Sequence, residues 1–145
     1  MNFDKYISPL SDEKLLQACA KIKHVALDMD GTIYLGSTIF PYTQALLQAL
    51  SDNGISYSFL TNNPTKSSKD YLAKLQKLGI NATEEQMYTS SIATIDYLHM
   101  QYPKAKRIFT LGTPSMQAEF IKAGFEITSD SADDVPDVLV VAFDT

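Results

Sequence analysis

His24-Val25-Ala26-Leu27-Asp28-Met29-Asp30-Gly31-Thr32 is the stretch on which the fold turns. A short apolar run stops at two acids, and Gly31 behind them allows a sharp turn. The run reads as a strand and the acids as its carboxyl end. Asp28 and Asp30 are two positions apart, so in extended chain both carboxylates project from one side. Acids this close repel each other unless a cation or a shared proton relieves them. A hard divalent ion such as Mg²⁺ suits such oxygen donors. In isolation, Asp-x-Asp-Gly is fully explained as a solvated turn. Its place directly after an apolar strand, in a chain of alternating strands and helices, turns the reading toward a site.

Outward from that stretch the alternation is regular. A leading helix is predicted over residues 11–22, with Ser11 as N-cap. Residues 33–40, with Gly36 and Ser37 at the middle, read as a small hairpin. Pro41 opens a helix carrying Ala45, Leu46, Ala49 and Leu50 on one face, and Asn53-Gly54 ends it. A second strand, 55–60, runs into Thr61-Asn62-Asn63-Pro64. A helix over 67–78 presents Tyr71, Leu72, Leu75 and Leu78 at helical spacing and stops at Gly79. Then follow a weak strand at 87–89, a helix at 92–100, a strand at 107–111, a helix at 114–123 and an apolar strand at 138–143. Strand-then-helix units of this kind imply an α/β fold, a Rossmann-like parallel sheet with helices on both faces. The unbroken 138–143 run suits a strand covered on both sides. In such sheets ligands bind beyond the carboxyl ends of the strands, where the acids lie.

Composition narrows the class without naming a function. The 145 residues are 45% hydrophobic and carry 12 basic against 17 acidic side chains, a net charge of −5. That is globular composition, and an acidic chain without basic clusters argues against binding to nucleic acid or an anionic membrane. A single cysteine, Cys19, excludes an internal disulfide framework and a cysteine-built zinc site, and fits a reduced, cytoplasmic compartment. No apolar run approaches the roughly 18–20 residues of a membrane helix.

With both strand ends on the page, a resemblance follows. Residues 24–34, from His24 through Asp28-Met29-Asp30-Gly31-Thr32 to Tyr34, resemble the first motif of the haloacid dehalogenase superfamily of phosphatases. Ser58-Phe59-Leu60-Thr61-Asn62-Asn63 is similar to its second. The Thr-Asn-Asn form, with Gly-Thr-Ile-Tyr after the first motif, is similar to the 4-nitrophenylphosphatase branch, which includes phosphatases of N-acetylglucosamine metabolism. The resemblance implies Asp28 as nucleophile forming an aspartyl-phosphate, and Asp30 as the acid and then the base. It implies Mg²⁺ held by the Asp28 carboxylate and the Asp30 backbone carbonyl. Thr61 hydroxyl and Asn62 N–H are expected to hold the phosphoryl oxygens of a small phosphorylated metabolite.

Other features invite plainer readings. Leu111-Gly112-Thr113-Pro114-Ser115 has the look of a phosphate-cradling turn but reads as ordinary helix capping. His24 and His99 lack partners at ligand spacing and read as packing or surface residues. Tyr34 and Phe40 read equally as lining the site's entrance or as core. The third-motif lysine and the fourth-motif Gly-Asp cluster of the resembled family are not found; none of the lysines after Thr61 has a convincing context. The expectation is therefore an N-terminal helical extension at 1–22 and the N-terminal half of a core at 23–145, ending at a cap boundary, with weak or no activity alone. Sheet surface left open should drive self-association. The competing class is a non-catalytic α/β module that binds metal at Asp28 and Asp30, or accepts phosphate in the manner of a receiver domain.

Overall fold

The computed structural model describes residues 12–142. Helix α1 (Asp12–Cys19) leads into β1 (His24–Asp28). The hairpin β2 (Tyr34–Leu35) and β3 (Thr38–Ile39), α2 (Thr43–Asp52) and β4 (Ser56–Thr61) follow. Next come α3 (Ser68–Lys77), β5 (Met87–Thr89) and α4 (Ser90–Gln101). The described chain closes with β6 (Arg107–Leu111), α5 (Pro114–Lys122), β7 (Glu126–Ile127) and β8 (Val138–Val141). Ser11, the expected cap of the first helix, lies outside the described residues, and α1 ends three residues short of Ile22.

The parallel α/β class holds, but the parallel strands are shared between two three-stranded sheets, ordered β1-β4-β5 and β7-β6-β8. Each has its own apolar cluster. Leu27, Met29, Ile33, Tyr34, Phe59 and Leu75 belong to the first cluster, and Ile95, Ile108, Met116, Phe120 and Phe125 to the second. Alternation along β1 explains which side of the first sheet is packed. Leu27 points into the cluster, whereas His24, Ala26 and Asp28 are exposed. His24 is held there by Ser56 and Ser58, at 2.8 and 2.9 Å from Nδ1 and Nε2. Ser56 also donates to the Lys23 carbonyl, so Nδ1–H of His24 donates to Ser56 and the bare Nε2 accepts from Ser58. His99 stacks on Phe125 at 5.1 Å. Both histidines are thus surface or packing residues.

Two expectations shift on inspection, and one strand is added. The buried face of α2 is Thr43, Leu47 and Leu50; Ala45, Leu46 and Ala49 are exposed. The stripe is rotated because Thr43, though polar, is fully buried with its hydroxyl donating to the Ile33 carbonyl at 2.7 Å. Strand β8 is not covered on both sides: Leu139 and Val141 are 66% and 73% exposed. Phe143 lies outside the described residues, and Ala142 follows the strand. Strand β7 was not anticipated, since two residues leave no periodicity to read.

The acidic stretch before β8 is an organised loop. Asp137 accepts from the amides of Lys106 and Arg107 at 2.8 and 2.9 Å, and Asp134 pairs with the Arg107 guanidinium and accepts from Ser129. These bonds hold both carboxyls below the usual carboxylate range.

Candidate active site

Strands β1 and β4 run parallel with Asp28 opposite Leu60, so Asp28 and the next residue of β4, Thr61, emerge at one edge. Strand β5 pairs Thr89 with Thr61 and adds a third strand end. Between them opens a cleft of about 510 Å³ bordered by Asp28, Thr61, Asn62, Tyr88, Thr89 and Ser90. Three of the four expected site residues therefore share one cavity. Asp30 borders the neighbouring hairpin instead, its Oδ1 accepting from the Gly36 amide at 3.4 Å.

The turn between the acids is built by backbone. The amides of Thr32 and Ile33 donate to the Met29 carbonyl at 3.2 and 3.0 Å, and Gly31 N–H donates to the Tyr34 carbonyl at 2.7 Å. Gly31 sits at φ +87° with no atom within 4 Å of an added Cβ, so backbone conformation rather than space demands glycine. Thr32 Oγ1 donates to Asp28 Oδ2 at 3.1 Å and fixes that carboxylate from below the turn.

The second strand end is as firmly held. Asn63 N–H donates to Thr61 Oγ1 at 3.2 Å, and Asn63 Oδ1 accepts from the amide and hydroxyl of Thr65 at 3.0 and 2.8 Å. Tyr71, on α3 and only 4% exposed, donates its phenol proton to the Asn63 carbonyl at 3.2 Å. Burial raises its pKa above the ordinary phenol value; a hydrogen bond with Thr61 works the other way, and the charges of Asp30 and Asp70 add to the rise. Tyr34, 1% exposed, is pushed up to about 12 by burial first, then by Asp30, Tyr71 and Asp28. Lys74 Nζ stands 3.9 Å above the Tyr34 ring.

Tyr34 answers to both of its expected readings, buried in the core beside the acid-bearing turn, whereas sequence reasoning gave no role near the site to Tyr71 or Lys74. Tyr71 falls in a helical apolar stripe, where a residue that packs and one that also donates inward look alike. Lys74 had been set aside for want of context. The Thr113 turn is capping, as expected: Thr113 Oγ1 accepts from the Met116 amide at 3.3 Å ahead of Pro114 at the first turn.

Among the described residues no group of three or more His, Cys, Asp or Glu side chains could hold a metal ion. Asp28 and Asp30 supply two hard oxygen donors. Mg²⁺ keeps several waters and is commonly held by one or two carboxylates, so this donor set suits it.

The comparisons with known proteins bear on the family and the fold. The sequence profile of the haloacid dehalogenase-like hydrolases matches residues 25–126. A chloroplastic phosphoglycolate phosphatase of Arabidopsis thaliana is 33% identical over 111 residues, 76% of this chain and 31% of that protein. The crystal structure of a 4-nitrophenylphosphatase from Thermotoga maritima superposes with a TM-score of 0.78 at 31% identity, covering 86% of this chain and 46% of that one. A glycerol phosphate phosphatase from Mycobacterium tuberculosis, solved in complex with magnesium, gives 0.72 at 27% identity, over 85% of this chain and 36% of that one. The chain thus spans less than half the length of each of these proteins. With its two strand-end motifs set side by side at one sheet edge, the chain belongs to the haloacid dehalogenase-like hydrolases, on the branch of the 4-nitrophenylphosphatases.

Proposed function

We propose that the protein of which this chain forms part is a Mg²⁺-dependent phosphatase acting on small phosphate monoesters. The observation that carries the reading is the single cleft bordered by Asp28, Thr61 and Asn62 at adjacent parallel strand ends. Asp28 attacks phosphorus, an Asp28–phosphorus bond forms, and the bond from phosphorus to the ester oxygen breaks. Asp30 gives its proton to the departing oxygen, then takes one from the water that attacks the aspartyl-phosphate, releasing orthophosphate and free Asp28. Thr61 hydroxyl and Asn62 N–H hold the phosphoryl oxygens as charge develops on them. Mg²⁺, held by Asp28 and Asp30, would offset the repulsion between carboxylate and phosphate.

The reading extends to the setting. The substrate is a small phosphorylated metabolite of the cytoplasm, and no helix of the described residues is long and apolar enough to cross a membrane. Two sheets with separate apolar clusters lead us to place the division of the chain near Thr89–Ser90, so that residues 90–142 begin a second layer, rather than to set the cap boundary beyond Val141. Self-association through the exposed face of β8 belongs to the same proposal.

The test is release of nitrophenol from 4-nitrophenyl phosphate with Mg²⁺, by the 145-residue chain and by a longer form of the protein that includes it. Turnover should require Mg²⁺ and vanish in Asp28→Asn. Turnover that survives Asp28→Asn would exclude Asp28 as nucleophile.

A further inference from the structure

Thr113 caps α5 with Oγ1 as acceptor, but a hydroxyl also carries a proton, and capping makes no use of it. That proton serves a distant partner: Thr113 Oγ1 donates to the Thr65 carbonyl at 3.2 Å, across 48 positions of sequence. Thr113 heads a helix whose Met116 and Phe120 belong to the second apolar cluster, whereas Thr65 follows β4 of the first sheet. From Thr65 the bonds run on to the site. Its amide and hydroxyl donate to Asn63 Oδ1 at 3.0 and 2.8 Å, and the Asn63 amide donates to Thr61 Oγ1 at 3.2 Å. Thr61 borders the cleft of Asp28. Four hydrogen bonds therefore link the cap of α5 to a side chain of that cleft.

Two simpler roles do not account for the bond. Capping needs only an acceptor, which an ionised aspartate supplies as well as threonine does; what the hydroxyl adds is a donor. Docking of α5 does not depend on it either, because Ser68 donates to Glu119 and Ser115 donates to Asp70, and both bonds hold α5 against α3. The Thr113 proton is thus spent on the turn that carries Asn63 and Thr65.

We propose that Thr113 is a positioning residue for the phosphoryl-holding turn. Its hydroxyl fixes Thr65 and, through Asn63, the Thr61 hydroxyl, so that the placement of α5 on the second sheet sets a group in the first sheet's site. The proposal rests on reading the Asp28 cleft as the phosphoryl site. A donor held in place binds more tightly than a free one, because a loosened group must be ordered on binding. Such coupling is reciprocal, so a phosphoryl ligand at Thr61 also favours the docked position of α5.

The experiment compares Thr113→Asp, Thr113→Ala and Thr113→Ser in the isotope-labelled chain. Aspartate keeps the cap and adds a charge; alanine adds no charge and loses the cap; only the lost donor is common to both. Amide exchange at Asn63 and Thr65 should quicken about tenfold in both, the effect of one ordinary hydrogen bond. At fixed free Mg²⁺, both should bind methylphosphonate roughly three- to tenfold more weakly. Thr113→Ser retains the donor and should match the unaltered chain in both measurements, while the Met116 amide stays protected in Thr113→Asp. Unchanged exchange at Asn63 and Thr65 without the donor, or a serine variant as loose as the other two, would overturn the proposal. Thr61→Val separates it from the reading beneath it. If Thr61→Val binds methylphosphonate as the unaltered chain does, the phosphoryl reading fails and the proposal falls with it, whatever the exchange rates. If Thr61→Val weakens binding while Thr113→Asp and Thr113→Ala do not, the phosphoryl site stands and the proposal alone falls.

Discussion

Asp28 and Asp30 leave the same strand into different surroundings. Asp28 lines the open cleft and accepts from Thr32, whereas Asp30 faces the hairpin and accepts from Gly36. Carboxylates in unlike environments can take unlike roles, which is what a nucleophile and an acid–base pair require. Beneath them Tyr34 carries a pH dependence of its own. Its pKa in the folded chain, about 12, lies above the unfolded value of 10.0. The stabilisation linked to the protonated phenol is therefore complete below pH 10 and lost as pH rises toward 12. Urea titrations at a series of alkaline pH values should show Tyr34→Phe losing less stability across that window; equal losses would show that Tyr34 does not govern it. Tyr71→Phe should keep the packing of α3 but release the Asn63 carbonyl, costing about 1–2 kcal/mol in the same assay. At this scale the sequence was legible where chemistry sits in turns. Asp28 and Asp30 stood out because paired acids directly after an apolar strand have little packing role, whereas Thr61 and Asn62, ordinary turn residues by themselves, entered only through the family resemblance. Tyr71 did not stand out, since its hydroxyl reaches the Asn63 carbonyl from a position that its ring alone explains.

Elements were legible where periodicity was long enough to read. Helix α3 came close to its expected bounds because Ser67, Asp70 and Gly79 punctuate it; Ser67 accepts from the Asp70 amide while Asp70 accepts from Ser67. The exposed face of α2 was misread because a buried threonine with an internal acceptor is indistinguishable, in sequence, from a surface one. That error has a measurable counterpart. Leu47→Ala, which opens a cavity in the first cluster, should cost about 2–5 kcal/mol in urea unfolding, and Leu46→Ala well under 1. Similar costs for both would restore the original face. Helix α3 is also tied to α5 across the two sheets: the amide and hydroxyl of Ser68 donate to Glu119 at 2.7 and 2.6 Å, and Ser115 donates to Asp70. No sequence pattern announces that seam, since its partners lie 45 and 51 positions apart.

For the whole molecule, the two sheets leave faces of opposite character open. The first presents His24, Ala26 and Ser56 to solvent; the second presents Leu111, Leu139 and Val141. An apolar face of that kind seeks cover, and sedimentation of the chain should show concentration-dependent association that Leu139→Lys with Val141→Lys suppresses. A clean monomer at all concentrations would remove self-association from the account. The α/β class was legible because it follows from the order of elements, whereas the split into two sheets depends on pairings between strands far apart in sequence. The central claim is narrower, that Asp28 is the residue that takes the phosphoryl group. Its most direct measurement is fluorine NMR of the chain with Mg²⁺ and beryllofluoride, which caps a carboxylate in the manner of a bound phosphoryl group. The account requires a bound signal in the unaltered chain and in Asp30→Asn, and none in Asp28→Asn. A bound signal that persists in Asp28→Asn, or none in the unaltered chain, would contradict it.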